Sequence, residues 1–294
     1  MDIIYWDHYY NNIIILNLLI VVLLFTALRI FSGVTSHISA ADELLRKDNP
    51  AFGISLAATM FAITIMLTGT IYGSPEADAR YAILAVGVFG FIGIALMALT
   101  RVILDKVTLP SISLRDEIVK GNIAVGIADA GNILAAAVIL RAVLIWVIGF
   151  NMESLLALLS GYAVSQCVLT AMTLLKRHTY RIFYKGGDLQ EQLKNGNIAV
   201  ALRFAGRKIG TAFAIATAAH IVVYEQYEVS QILVAWFIAS VVAVIVWEIL
   251  CFAAEQIILW RVDTRSEVQE QKNIAIGAVQ AVIYIAMGLL ISSI

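Results

Sequence analysis

Seven polar side chains sit inside long apolar runs of this sequence, and they are the residues whose types could do chemistry. Asp129 and Asn132 stand in one run, Arg203, Arg207 and Lys208 in a second, and Glu248 and Glu255 in a third. Arg203 and Arg207 share a helix face at i, i+4, as do Asp129 and Asn132 at i, i+3. An ionised group in hydrocarbon costs at least about 2.5–3.5 kcal/mol, so each charge needs a partner or water. Two kinds of chemistry fit. Carboxylates and guanidinium groups at matching depth form ion pairs that staple helices together. The same groups facing water line a path or hold a charged small molecule. Three acids against three bases favour the staple, because a selective ion path carries an excess of one sign. Asp129 is expected to pair with Arg203 or Arg207.

The elements that hold these groups follow from composition. Of 294 residues, 61% are hydrophobic and only 14% charged. A soluble domain is about half apolar and about a quarter charged. Runs such as 13–31 and 229–246 are long enough to cross about 30 Å of hydrocarbon at about 1.5 Å per residue. Helices are the expected form, since lipid requires each backbone amide to be satisfied within its own segment. Cys167 and Cys251 lie in apolar runs and read as packing residues. No Cys/His metal spacing, phosphate loop, HExxH or GxSxG motif occurs, so no metal, cofactor or enzymatic activity is expected. The segment MDIIYWDHYYNN has no basic head and does not read as a cleaved signal peptide. Trp146, Trp236 and Trp260 read as interfacial belt or packing residues.

One phrase recurs along the chain. Asn49 stands in RKDNPAFGI, Asn122 in VKGNIAVGI, Asn197 in KNGNIAVAL and Asn273 in EQKNIAIGA, at intervals of 73, 75 and 76 residues. Such a period marks an internal repeat. Each asparagine precedes an apolar run, where its side chain can cap a helix N-terminus. Gly121 and Gly196 suit the left-handed end of a preceding helix. Further upstream, Ser39, Ser113, Asp188 and Thr264 are each followed three residues later by an acid, at Asp42, Asp116, Glu191 and Glu267. This pattern resembles a capping box and predicts four short polar helices. The fold expected is all-α, with eight transmembrane helices from four helix, short amphipathic helix, helix units. The spans predicted are 12–33, 50–72, 81–104, 123–148, 153–176, 198–222, 229–256 and 274–293. Two four-helix halves, 1–150 and 151–294, follow, packed either as a ring of hairpins or side by side.

Fifteen lysines and arginines fall in the connections within the units, including Arg101, Lys106, Lys176 and Arg177. Arg80 alone falls on the other side. The positive-inside rule then places these connections in the cytoplasm and both termini outside. Nucleic acid is not an expected partner, because topology accounts for the basic loops.

The tandem unit, with ELLRKDNPAFGI and DEIVKGNIAVGI, resembles the bacterial inner-membrane family known as domain of unknown function 350. Members typically carry one pair of these units, and this chain looks like two pairs in tandem. EQKNIAIGA departs from the pattern by lacking the glycine before Asn273. The resemblance implies an inner-membrane location, a role without assigned biochemistry, no catalytic residues, and partners of the envelope-stress type. The function expected is a membrane scaffold for envelope maintenance, held by ion-pair staples. The alternative is a pore or transporter-like protein with a path lined by Asp129, Arg203, Arg207 and Glu248. The lipid bilayer is a partner in either case, and an oligomer is compatible with both.

Overall fold

The computed structural model describes residues 15, 18, 19, 22, 26, 39–73, 79–183, 187–224 and 229–293. Among them there are helices and no strands. Four short helices are α1 (Asp42–Arg46, wound as a π-helix), α4 (Leu114–Val119), α7 (Leu189–Lys194) and α11 (Thr264–Gln269). Each is followed by a long helix: α2 (Pro50–Gly73), α5 (Ile123–Trp146), α8 (Ile198–Ala216) and α12 (Ile274–Ser292). Three long helices return: α3 (Ala79–Ile103, running on through a π-helical Leu104–Thr108), α6 (Met152–Phe183) and α10 (Val229–Ile258). A single turn, α9 (Ala218–Ile221), follows α8.

Six of these helices are long and apolar enough to cross a membrane: α2, α3, α5, α6, α10 and α12. The predicted span 12–33 falls almost wholly outside the described residues. The predicted span 198–222 is helical, but Arg203, Arg207 and Lys208 keep α8 from qualifying as an apolar crossing helix.

Local sequence explains where the long helices begin. Asn49 Oδ1 accepts from the Phe52 amide at 3.1 Å. Asn122 accepts from Val125 at 3.3 Å, and Asn197 from Val200 at 3.2 Å. Asn273 accepts from Ala275 and Ile276 at 3.1 and 3.4 Å. The preceding residue is left-handed each time, at Asp48 (φ 47°), Gly121 (84°), Gly196 (74°) and Lys272 (53°). The glycine missing before Asn273 is thus replaced by a lysine held in the same conformation, which is disfavoured for a residue with a Cβ.

The short helices start as their polar residues dictate, with one shift. Ser39 Oγ accepts from the Asp42 amide, Ser113 caps α4 and Asp188 caps α7. In the fourth, the cap is Asp263 rather than Thr264, accepting from Arg265 and Ser266 at 3.1 and 3.3 Å. Asp263 has the free carboxylate one position earlier, so the turn closes there.

The helices pack in two layers. One layer is a row in the order α2, α5, α8, α12. The other lays α3 against α2 and α5, α6 against α5 and α8, and α10 against α8 and α12. The row is parallel and close. A Cβ added at Gly126 would lie 2.8 Å from the Ala51 carbonyl oxygen, and one at Gly206 would lie 2.4 Å from the Ala281 Cα. Gly131 meets Ala205 in the same way, across the boundary between residues 1–150 and 151–294. Among the described residues the row is therefore continuous from one half to the other. α5 is the most enclosed, with 83% of its apolar window buried against 39% for α2. Trp146 and Trp236 are buried and meet edge to face at 4.7 Å, whereas Trp260 is exposed.

Candidate functional site

The charges held within the helix layers form two clusters, one on each half of the row. In the first, Asp129 on α5 is fully buried. It pairs with Arg101 on α3, with Nε to Oδ1 at 2.8 Å and Nη2 to Oδ2 at 2.7 Å. Ser55 Oγ on α2 donates to Asp129 Oδ2 at 2.5 Å. Arg101 Nη2 also reaches Thr59 Oγ1 at 3.2 Å. A bidentate guanidinium with a supporting hydroxyl satisfies the carboxylate without water. Beside it, Asn132 Nδ2 donates to the Thr100 carbonyl at 3.4 Å, and Thr100 Oγ1 shares a hydrogen bond with Tyr162 on α6 at 2.8 Å.

This overturns the expected pairing of Asp129 with Arg203 or Arg207. The two bases lie on α8, but the Asp129 side chain turns to α3, where Arg101 approaches from the opposite helix direction. From sequence, Arg101 is counted with the connection that follows α3, although the predicted span 81–104 contains it. The helix runs on to Thr108, which puts Arg101 about 10 Å inside the helix end. Asp129 is about 10 Å inside its own helix from the Asn122 cap, so the two meet.

In the second cluster, Glu248 on α10 accepts from Lys176 Nζ on α6 at 2.7 Å and from Arg207 Nη1 on α8 at 3.1 Å. The Arg207 guanidinium lies 4.3 Å from the centre of the Tyr284 ring on α12, a cation–π contact. Tyr284 hydroxyl donates in turn to Glu255, and Gln280 Nε2 donates to the same carboxylate oxygen at 2.9 Å. Lys176, too, was counted as a loop residue; α6 carries it inside the layer because the helix continues to Phe183. Arg101 and Lys176 are 75 residues apart, the interval between Asn122 and Asn197. That spacing was the signal that could have grouped them with the charges of the helix layers.

Counting both, the two clusters hold five bases, Arg101, Lys176, Arg203, Arg207 and Lys208, against three acids; Arg141 on α5 lies apart from them, its Nε donating to Thr68 Oγ1 on α2 at 3.0 Å. Arg101 and Asp129 neutralise each other, so the excess within the clusters falls on the second. There the side chains border a cavity of about 390 Å³ between α6, α7, α8, α10 and α11. Its wall carries Lys176, Arg203, Arg207, Lys208 and Arg265 with Glu248 as the one acid, alongside Thr173, Thr179, Tyr180 and Thr211. Val200, Phe204, Met172 and Leu189 supply apolar wall. Arg265 is exposed at the short-helix end, while Lys208 is only 3% exposed. Lys208 has no ion pair or hydrogen bond among the described residues; its ammonium lies 6.0 Å from the Phe204 ring centre. By the helical rise Arg203 is about 9 Å, Arg207 about 15 Å and Lys208 about 16 Å beyond the Asn197 cap. The cations therefore stand at stepped depths along one wall.

The four capping asparagines do more than cap. Each Nδ2 donates to an acceptor on its own short helix: Glu43 at 2.8 Å, Glu117 at 3.1 Å, Gln192 at 2.9 Å and Glu267 at 2.8 Å. The first three also donate to main-chain oxygens at the end of the next short helix. Asn49 reaches Ile118 at 2.8 Å, Asn122 reaches Lys194 at 3.0 Å and Asn197 reaches Val268 at 3.0 Å. A hydrogen bond from Lys120 is the main cause that holds Glu117 below the usual carboxylate range, and Lys47 acts likewise on Glu43.

Among the described residues no group of three or more His, Cys, Asp or Glu side chains is placed to hold a metal ion. The family model described as Domain of Unknown Function (DUF350) matches residues 5–144 and again 150–294. Neither a curated protein nor a solved structure matches the chain.

Proposed function

Starting from its place in the Domain of Unknown Function (DUF350) family, to which this chain belongs in two tandem copies, we propose that it is a membrane protein that binds an anionic group in the second copy. The observation that carries this reading is the uneven charge of the clusters: a neutral Asp129–Arg101 staple in the first half, and five cations with one carboxylate around a cavity in the second. A cavity of this size suits a small ligand or a lipid headgroup. Lys208 supports the reading most directly, since a buried ammonium without a counter-charge gains most from an anion.

The fourfold unit and eight spans belong to the same proposal. α8 lies among α5, α6, α10 and α12, so it crosses with them despite its charges, and its bases then line the interior. The location we assign is the bacterial inner membrane, with the short helices and the cavity mouth in the cytoplasm. The assignment is binding rather than catalysis. The scaffold reading keeps its place in the first half, where the Asp129 cluster ties α2, α3 and α5 together.

The test is thermal unfolding of the full chain in nanodiscs of zwitterionic lipid. Inorganic phosphate in one arm and phosphatidylglycerol in another separate a free anion from a headgroup. A ligand at one hundred times its Kd stabilises by about 2.7 kcal/mol. The proposal expects a raised midpoint in at least one arm, and its loss in Lys208→Met. An unchanged midpoint in both arms, or an equal rise in Lys208→Met, overturns it.

A further inference from the structure

Among the described residues one interhelical contact is made three times, and each contact has a donor half and an acceptor half. The donor half is a capping asparagine whose amide reaches the next short helix, with an enclosed alanine two residues on. Ala51, Ala124 and Ala199 are all 0% exposed. The acceptor half is the end of that short helix, with an apolar residue tucked under the donor. Ile118 is 9% exposed, and Leu193 and Val268 are 0%. It also includes the small residues that let the helices close, such as Gly126, Ala205, Gly277 and Ala281.

The two ends of the row carry one unused half each. On α1, Leu44 follows Glu43 as Ile118, Leu193 and Val268 follow Glu117, Gln192 and Glu267, yet it is 38% exposed, and Leu45 beside it is 81% exposed. Leu45 lies outside the apolar window that begins at Pro50. No side-chain amide among the described residues donates to the Leu44 or Leu45 carbonyl. On the same side of α2, Ala57, the counterpart of Ala205 and Ala281, is exposed. On α12 the amide of Asn273 donates to Glu267 and to no main-chain oxygen among the described residues. Ala275, the counterpart of the three enclosed alanines, is exposed, and Val282 is 64% exposed.

We propose that copies of this chain associate head to tail, with α12 of one against α2 of the next, remaking the same contact between chains. The Asn273 amide then donates to the α1 carbonyls, Ala275 closes on Gly53, and Leu45 is covered. The occupant is a second copy because the free halves complement each other and not themselves. In lipid the drive is close backbone packing of small residues and the polar bond, since apolar area alone gains nothing there. A head-to-tail contact is heterologous and builds a ring or an open row.

Leu45→Glu spoils the acceptor end and Ala275→Phe the donor end, both at positions exposed in the single chain. Copies per particle are counted by single-molecule photobleaching in liposomes, with the full chain. Wild type should be multimeric, and each variant alone should lose association. Co-reconstituting the two variants should restore pairs, because each keeps the end the other lacks. Unchanged thermal unfolding of the separated single chains establishes that the variants fold; Asn273→Ala and Ala57→Phe form a second pair should either fail. A wild type of single copies, variants that associate as wild type does, or a mixture that stays single overturns the proposal.

Discussion

Asp129 and Asn197 show how much a single polar atom determines inside an apolar layer. Asp129 is fully buried with its charge answered by Arg101. Removing one partner of such a pair costs roughly 3–5 kcal/mol in soluble proteins, whereas replacing both can be near neutral. The value is smaller where unfolded segments also find partners in lipid. Arg101→Gln should therefore destabilise more than Arg101→Gln combined with Asp129→Asn, measured by unfolding in detergent. Arg203→Gln with Asp129→Asn should show only additive effects. Asn197 is also fully buried, and its Nδ2 donates to Gln192 and to the Val268 carbonyl. Aspartate preserves the cap but offers acceptors to an acceptor. Asn197→Asp should then unfold no later than Asn197→Ala, although Ala loses about 1 kcal/mol of capping. A clearly more stable Asp variant would reduce the residue to a plain cap.

At the scale of elements, the row depends on helices that touch through backbone. Gly206 has no room for a Cβ against Ala281, whereas Gly87 has nothing within 4 Å. Gly206→Leu should push α8 from α12 and lower the unfolding midpoint sharply. Gly87→Ala should be neutral or stabilise by up to about 1 kcal/mol through helix propensity. Equal effects would mean that the row is not closely packed. The short helices add a pH-dependent contribution. Because Glu117 is held below its ordinary value of 4.5, its contribution is complete above that pH and is lost as pH falls through the lower folded-state value. The gap in unfolding midpoint between wild type and Glu117→Gln should therefore shrink on going from neutral pH to strong acid. A gap that widens in acid reverses the sign of the argument.

For the whole molecule, all four short helices lie at the N-terminal ends of a parallel row, so they share one side. The turn around Gly149, between α5 and α6, lies at the opposite end. An alkaline phosphatase fusion there should be active, and one at Lys120 inactive. The reverse pattern would place the cavity mouth outside and require its ligand to come from the other compartment. Moving Arg101 and Lys176 out of the loops reduces the basic excess on the short-helix side by two without reversing it against Arg80.

The sequence by itself determined what short-range physics controls. An Oδ1 and an amide three residues on are neighbours in any helix start, so Asn49, Asn122, Asn197 and Asn273 were legible as caps. A long apolar run satisfies its own backbone wherever it lies, so the membrane helices were legible too. Thr264 was one residue off because two adjacent oxygens competed for one turn. Only the tertiary structure decided partners. Whether Asp129 meets α8 or α3 depends on the rotation of α5 and on which helix fills the neighbouring groove. Neither is written in spacing along a single helix. Depth counted from one asparagine cannot include a base on a returning helix, whose depth runs from its other end. The same blindness hid the second half of each asparagine's bonding, and with it the difference between a neutral staple and a cationic cavity. Those follow from the order α2, α5, α8, α12, which brings residues some seventy positions apart into contact.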